Sequence, residues 1–139
     1  MQGYQRFDIT KDEIVPTAER MRKESIYLAM IHGFLDKDGV PEISYEYMVE
    51  PNIESYHVRG ESVLPSISSI YDVAAEWPER ELNEFFGWTF EGLDVSKRLF
   101  LPEDLLDEQG RGQIMVTPLE ELRKLNGTQL ANEKEAEDK

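Results

Sequence analysis

Residues 77–104, WPERELNEFFGWTFEGLDVSKRLFLPED, interleave the aromatics Trp77, Phe85, Phe86, Trp88 and Phe90 with the charges Glu79, Arg80, Glu81, Glu84 and Arg98. Two chemistries are open to such a cluster. Paired carboxylates can exchange protons with a substrate, but at neutral pH one of them must sit in an apolar pocket that raises its pKa. No spacing here places one so. Aromatics with opposed charges can instead anchor another protein, since Trp and Arg are enriched where interfaces carry most of their energy. Trp88, directly after a glycine, is a candidate anchor of that kind, whereas Phe86 and Phe90 are expected in the core.

The remaining reactive residues are scattered. His32 and His57 are the only histidines, and neither has a ligand partner at helical spacing, so no metal site is expected. His57 reads as a strand residue facing solvent and His32 as one at a strand end. Asp36-x-Asp38-Gly39 lacks the later ligands of a calcium loop and reads as a turn. Ser66, Ser68 and Ser69 lack the setting of a nucleophile elbow, and Gly110-Arg111-Gly112 is followed by no phosphate-binding lysine. The absence of cysteine excludes thiolate-held iron–sulfur clusters, disulfides and thiol nucleophiles in this chain. No catalytic residue and no cofactor are expected.

With 15 basic and 29 acidic residues the net charge is −14. A nucleic-acid backbone or an anionic membrane surface would repel such a chain, and a basic protein surface is its natural complement. Acidity that serves only solubility is the plainer alternative. The run 26–35 is too short to cross a hydrocarbon layer about 30 Å thick. The first ten residues are polar and mixed, and predict no secretion leader.

At 139 residues the chain reads as one domain over 1–127 with an acidic, disordered tail over 128–139. A weak strand is expected over 5–9. Thr10 and Glu13 have the spacing of a capping box for a helix over 11–24. Residues 26–31, apolar on both faces, predict a strand in the middle of a sheet. Ile43, Tyr45, Tyr47 and Val49 alternate with polar residues, which predicts a strand with one covered and one wet face. A further strand is expected over 53–60, then a connection over 60–67. Pro78 suits the first position of a helix over about 78–86, with Glu79 and Glu81 in its first turn and Gly87 as its stop. Beyond that, 105–112 reads as a loop, 114–116 as a short strand, and Thr117-Pro118 as a helix start. The sum is an α+β fold, an antiparallel sheet of three to four strands covered by helices on one side, with an extended C-terminal segment.

Trp77-x-Glu79-Arg80-Glu81, Phe85-Phe86-Gly87, Phe90-x-Gly92 and Arg98-Leu99-x-Leu101-Pro102-Glu103-Asp104 together resemble the signature of the 30-kDa subunit family of respiratory complex I. That family also contains the matching small subunit of energy-converting, membrane-bound Ni–Fe hydrogenases. The approach Pro65-Ser66-Ile67-Ser68-Ser69-Ile70-Tyr71 fits too, so the likeness is closest over 65–104. It implies a similar α+β fold and a subunit without redox centres, on the cytoplasmic face of the membrane through its complex. Its implied partners are a large subunit, of the 49-kDa or Ni–Fe hydrogenase type, and neighbouring iron–sulfur subunits. Leu93-Asp94-Val95-Ser96 stands where complex I members read His-Pro-Asp-Leu, and the chain is short, which points to the hydrogenase branch, with the complex I 30-kDa subunit itself as the alternative within the family. A stand-alone acidic binding module is the alternative of another class.

On that resemblance the interface residues are Trp77, Glu79, Arg80, Glu81, Glu84, Trp88, Arg98, Pro102, Glu103 and Asp104. Arg80 and Glu84 stand i,i+4. As a surface pair they are worth about 0.3–0.5 kcal/mol. At an interface, loss of one partner from a desolvated pair costs about 2–5 kcal/mol. The interface reading expects Arg80→Ala to leave the melting of the isolated chain nearly unchanged while releasing it from its complex. An orphaned aromatic surface also leaves a homodimer of the isolated subunit open.

Overall fold

The structure, a computed structural model, describes residues 3–105. Strand β1 (Tyr4–Asp8) leads through a single 3-10 turn (Lys11–Glu13) into helix α1 (Ile14–Lys23). Strands β2 (Leu28–Leu35), β3 (Pro41–Val49) and β4 (Asn52–Arg59) follow as an antiparallel meander. The chain then forms β5 (Val63–Pro65), α2 (Ser68–Tyr71), α3 (Val73–Phe86), β6 (Thr89–Glu91) and a last 3-10 turn (Glu103–Leu105). The main sheet has the order β1-β4-β3-β2, with β1 parallel to β4, while β5 and β6 form a separate parallel pair.

Side-chain period decides which face is covered. Ile43, Tyr45 and Tyr47 of β3 and Tyr56 and Val58 of β4 are buried, meeting Ile14, Ala18 and Met21 of α1 and Ala75 and Leu82 of α3 in one core. Over β4, Arg20 of α1 donates to the Tyr56 hydroxyl at 3.0 Å. Over β2, the approach is closer still. A Cβ at Gly33 would lie 2.4 Å from the Trp88 ring, so only glycine admits the indole there.

The α+β expectation holds, as do the capping box and the helix stop. The Glu13 carboxylate accepts from the Thr10 N–H at 2.7 Å and from its hydroxyl at 3.0 Å. Gly87 takes the left-handed conformation at φ 70°. Several expectations are corrected. The apolar strand after α1 is an edge, not a central strand: Ile31 enters the core while Met30 and Phe34 on its other face remain exposed. The second face of β3 is not wet, because β3 is central and its neighbours close over Glu42 and Ser44. His57, expected in solvent, is 6% exposed for the same reason. The signature helix starts at Val73, so Pro78 lies inside it. The proline removes the partner of the Ala74 carbonyl, which is tolerable because Ala74 is exposed and water can replace it. The connection over 60–67 also contains β5, and Leu105 ends the last 3-10 turn. The short strand at 114–116, the helix from 117 and the tail over 128–139 lie outside the described residues.

Gly33→Val should force the Trp88 ring aside and destabilise the chain by about 1–3 kcal/mol, the usual cost of overpacking. The urea midpoint should fall with an unchanged slope, followed by tryptophan fluorescence.

Candidate subunit interface

Helix α3 turns Ala75, Glu79 and Leu82 inward, one helical turn apart, and Val73, Trp77 and Glu81 outward. An inward Glu is costly unless donors meet it. Glu79 is fully buried; its Oε2 accepts from the Ser66 hydroxyl at 2.5 Å and its Oε1 from the Ile67 N–H at 2.8 Å. Ser66 is in turn bonded to the Ser68 hydroxyl at 2.8 Å. Glu79 therefore fastens the entry to α2 onto α3. Burial pushes its pKa up to about 7, with the Ser66 and Ile67 donors pulling the other way. The Tyr45 hydroxyl, also buried, has no partner among the described residues.

Glu84 does not pair with Arg80 as its i,i+4 spacing predicts. Its carboxylate accepts three consecutive backbone amides, from Leu99 at 2.6 Å, Phe100 at 2.7 Å and Leu101 at 2.8 Å. Burial opposes its ionisation, but those amides, with Arg80 nearby, hold its pKa below the usual carboxylate range. Arg80 donates to the Lys97 carbonyl and lies 3.4 Å from Glu76, one turn earlier. Its side chain is only 12% exposed. Two charged residues of α3 thus hold the segment 97–101, Glu84 by its donors and Arg80 by an acceptor. Three aligned N–H groups suit a carboxylate better than one guanidinium already engaged elsewhere. The sequence clue was Pro102, which keeps the residue before it out of helix and leaves the amides of 99–101 in need of a partner.

The ten residues assigned to an interface therefore divide. Trp77, Glu81, Arg98, Pro102, Glu103 and Asp104 face outward. Glu79, Glu84 and Trp88 are buried within this chain and Arg80 is nearly so. Trp88 stacks on Phe86 at 5.0 Å over Gly33. Val73 shares the outward face of α3 with Trp77, and Phe100 is exposed beside Phe85; neither stood out in the sequence.

A second cluster was missed outright. On the sheet face away from the helices, His57 Nδ1 lies 2.8 Å from Glu42 Oε1, and His57 Nε2 lies 2.9 Å from Ser55 Oγ. Arg6 donates to the same Glu42 oxygen at 3.0 Å, and the Tyr4 hydroxyl stands 3.3 Å from Nε2. Ser55, His57 and Glu42 have the bonding order of nucleophile, base and orienting acid. Ser55 is fully enclosed, however, and Tyr4 shares the nitrogen that would take its proton. The cluster joins β1 to β3 and β4. The clue was Glu42 and His57 two positions apart across one register, on the same face of neighbouring strands. Among the described residues no group of three or more His, Asp or Glu gathers as metal ligands.

Two outcomes follow for the isolated chain. Glu79 keeps its proton in the folded state to a higher pH than the ordinary value near 4.5 that it has when unfolded. Between those values the native state binds more protons, so stability falls as pH rises through the folded pKa. About 2 kcal/mol should be lost between about pH 5 and pH 8, and Glu79→Gln should flatten that slope in urea titrations across the range. Arg80→Ala removes a nearly enclosed side chain from the Lys97 carbonyl. The expectation of unchanged melting is therefore replaced by a loss of about 1–3 kcal/mol in the isolated chain, read by thermal unfolding.

The family described as respiratory-chain NADH dehydrogenase, 30 Kd subunit, matches residues 7–128. Two curated relatives named NAD(P)H-quinone oxidoreductase subunit J, from Prochlorococcus marinus strains NATL2A and NATL1A, are each 26% identical over 116 residues, 73% of this chain and 66% of theirs. A third of that name, from strain MIT 9303, is 50% identical over 42 residues, 29% of this chain and 23% of its own. The chain thus spans just under two thirds of the length of the first two relatives. With the match running through the sheet, α3 and the segment that α3 holds, the chain belongs to the 30-kDa subunit family of the respiratory-chain NADH dehydrogenase.

Proposed function

We propose that this chain is a cofactor-free scaffold subunit of a complex-I-like membrane oxidoreductase, docked beside the large catalytic subunit and neighbouring iron–sulfur subunits. One observation carries the reading. The inward ionisable side chains of the family segment are spent on the chain's own groups, Glu79 on the Ser66 hydroxyl and the Ile67 amide, Glu84 on the amides of 99–101 and Arg80 on the Lys97 carbonyl. They build a rigid platform and leave Val73, Trp77 and Glu81 outward on α3, with Trp77 51% exposed. An exposed Trp on a rigid helix suits an interface anchor better than a reaction centre. The chain sits peripherally on the inner face of the membrane through that complex; among the described residues no helix is long and apolar enough to cross one.

Within the family, Leu93-Asp94-Val95-Ser96 favours the energy-converting hydrogenase branch. A second reading, the quinone-linked complex, is favoured by the names of the relatives, NAD(P)H-quinone oxidoreductase subunit J.

A tagged copy expressed in its source cell should retain a large subunit through purification. Trp77→Asp should lose that subunit at unchanged melting temperature, with affinity down by about 30-fold or more, as befits an interface anchor. Recovery of the chain alone, or full retention by Trp77→Asp, would overturn the scaffold reading. Nickel in the retained complex would assign the hydrogenase branch, and quinone reduction without nickel the other.

A further inference from the structure

The two edges of the main sheet are treated differently. Edge strands offer unpaired N–H and C=O groups, and folds usually blunt them with short length or charge. The β1 edge has only five residues, with Arg6 and Asp8 among them. The β2 edge has eight, Leu-Ala-Met-Ile-His-Gly-Phe-Leu, with no Lys, Arg, Asp, Glu or Pro. Its outward groups can be assigned. The Asp36 N–H donates to the Val40 carbonyl, whereas the next carbonyl, of Pro41, turns the other way to Gly60. With Leu35 opposite Pro41, this alternation points the backbone groups of Ile31, Gly33 and Leu35 away from β3. Among the described residues none bonds them.

Beside that edge lies a groove of about 250 Å³, between Ile31, His32 and Gly33 of β2 and Glu81, Leu82, Phe85 and Phe86 of α3. Ile31, Leu82, Phe85 and Phe86 make most of its lining apolar, His32 and Glu81 are its polar side chains, and no Lys or Arg lines it. Glu81 is exposed at its rim and makes no ion pair among the described residues. The geometry points to the β2 edge as an acceptor for an extended basic–apolar segment of a partner protein, added as a fifth strand. Its backbone pairs with Ile31, Gly33 and Leu35, its apolar side chains enter the groove, and a Lys or Arg meets Glu81. Strand addition of this kind draws affinity from main-chain bonds and specificity from alternate side-chain pockets. The acceptor deepens the scaffold reading and rests on it for the source of the segment, another subunit of the complex.

The probe is a fluorescein-labelled peptide, Lys-Thr-Val-Thr-Val-Thr-Lys, added to the full chain. It places Val and Lys on one face and Thr on the other. Anisotropy should show binding that weakens with salt, and the same peptide with Glu at both ends should bind at least about tenfold more weakly. Glu81→Lys, on an exposed residue, should reverse that preference. N-methylation blocks one strand edge at a time: methylating the Val amides or methylating the Thr amides should abolish binding in one case and spare it in the other. Hydrogen exchange at Ile31, Gly33 and Leu35 should be fast in the free chain and slow by at least about tenfold with the peptide.

Equal binding of both methylated peptides, or of both charge forms, would overturn the proposal. So would slow exchange in the free chain, whether independent of concentration (the chain's own later residues cover the edge) or increasing with it (a second copy does). Retention of the large subunit is read separately. Its persistence with no peptide binding removes the acceptor and spares the scaffold; its loss with peptide binding intact does the reverse.

Discussion

A carboxylate inside a protein must find donors or stay protonated, and helix α3 carries two such groups. Glu79 and Glu84 lie about 140° apart around the helix and take hold of two stretches of chain distant in sequence, 66–67 and 99–101. Neither stretch has the repeat of a long helix or strand, so each depends on the helix for its course. The two carboxylates meet opposite electrical conditions. Three amides outweigh burial at Glu84 and keep it charged, while at Glu79 burial outweighs two donors and pushes the proton on. The helix that forms the outward Trp77 surface is therefore also the clamp that fixes the chain entering and leaving it.

The face of the sheet without helices follows the same rule by other means. Polar side chains there are withdrawn from water by their neighbours, so they must bond one another. Glu42 receives Arg6 and His57, and His57 reaches Ser55 and Tyr4. Strand β1 supplies the outer members, Tyr4 and Arg6, and from its opposite face stacks Phe7 on Tyr56 at 5.0 Å. Its own residues are all exposed, yet it closes the network from one side and extends the aromatic core on the other. A triad-like bonding order arises as a by-product, and the enclosure of Ser55 decides what it is for.

Local chemistry was legible in the residues, and tertiary placement was not. Thr10 with Glu13 and Gly87 at a helix end act within a few residues and have their expected place, while the alternation from Ile43 to Val49 gives the strand and its covered face but not the closure over its other face. The start of α3 was missed because Pro78 weighs locally as a first residue. The cost of a proline further in depends on whether water reaches the Ala74 carbonyl, a fact of the surface. Strand order is equally nonlocal: Leu28–Leu35 is apolar on both faces, which suits a central strand, and nothing in it says that it lies at an edge. The partners of Glu84 stand fifteen to seventeen positions away and are backbone groups with no residue type to recognise. The candidate surface was legible as a segment, and its division into inward clamp and outward face was not.

That division governs how any change in the segment acts. A substitution at Glu84 or Arg80 disturbs the platform before it can disturb a partner, so loss of assembly there mixes two causes. Trp77 and Glu81 separate them, because among the described residues their side chains make none of the fold's own polar bonds. The edges of the sheet bear on the same point. A chain with 29 acidic residues has charge to spare, and a single one on β2 would have guarded that edge as Arg6 and Asp8 guard the other. Eight residues without Lys, Arg, Asp or Glu, beside a mostly apolar groove with one carboxylate at its rim, run against the charge pattern of the rest of the molecule. Solubility alone would favour the opposite arrangement. A surface kept open for pairing accounts for both the missing charges along the strand and the acid that remains beside it.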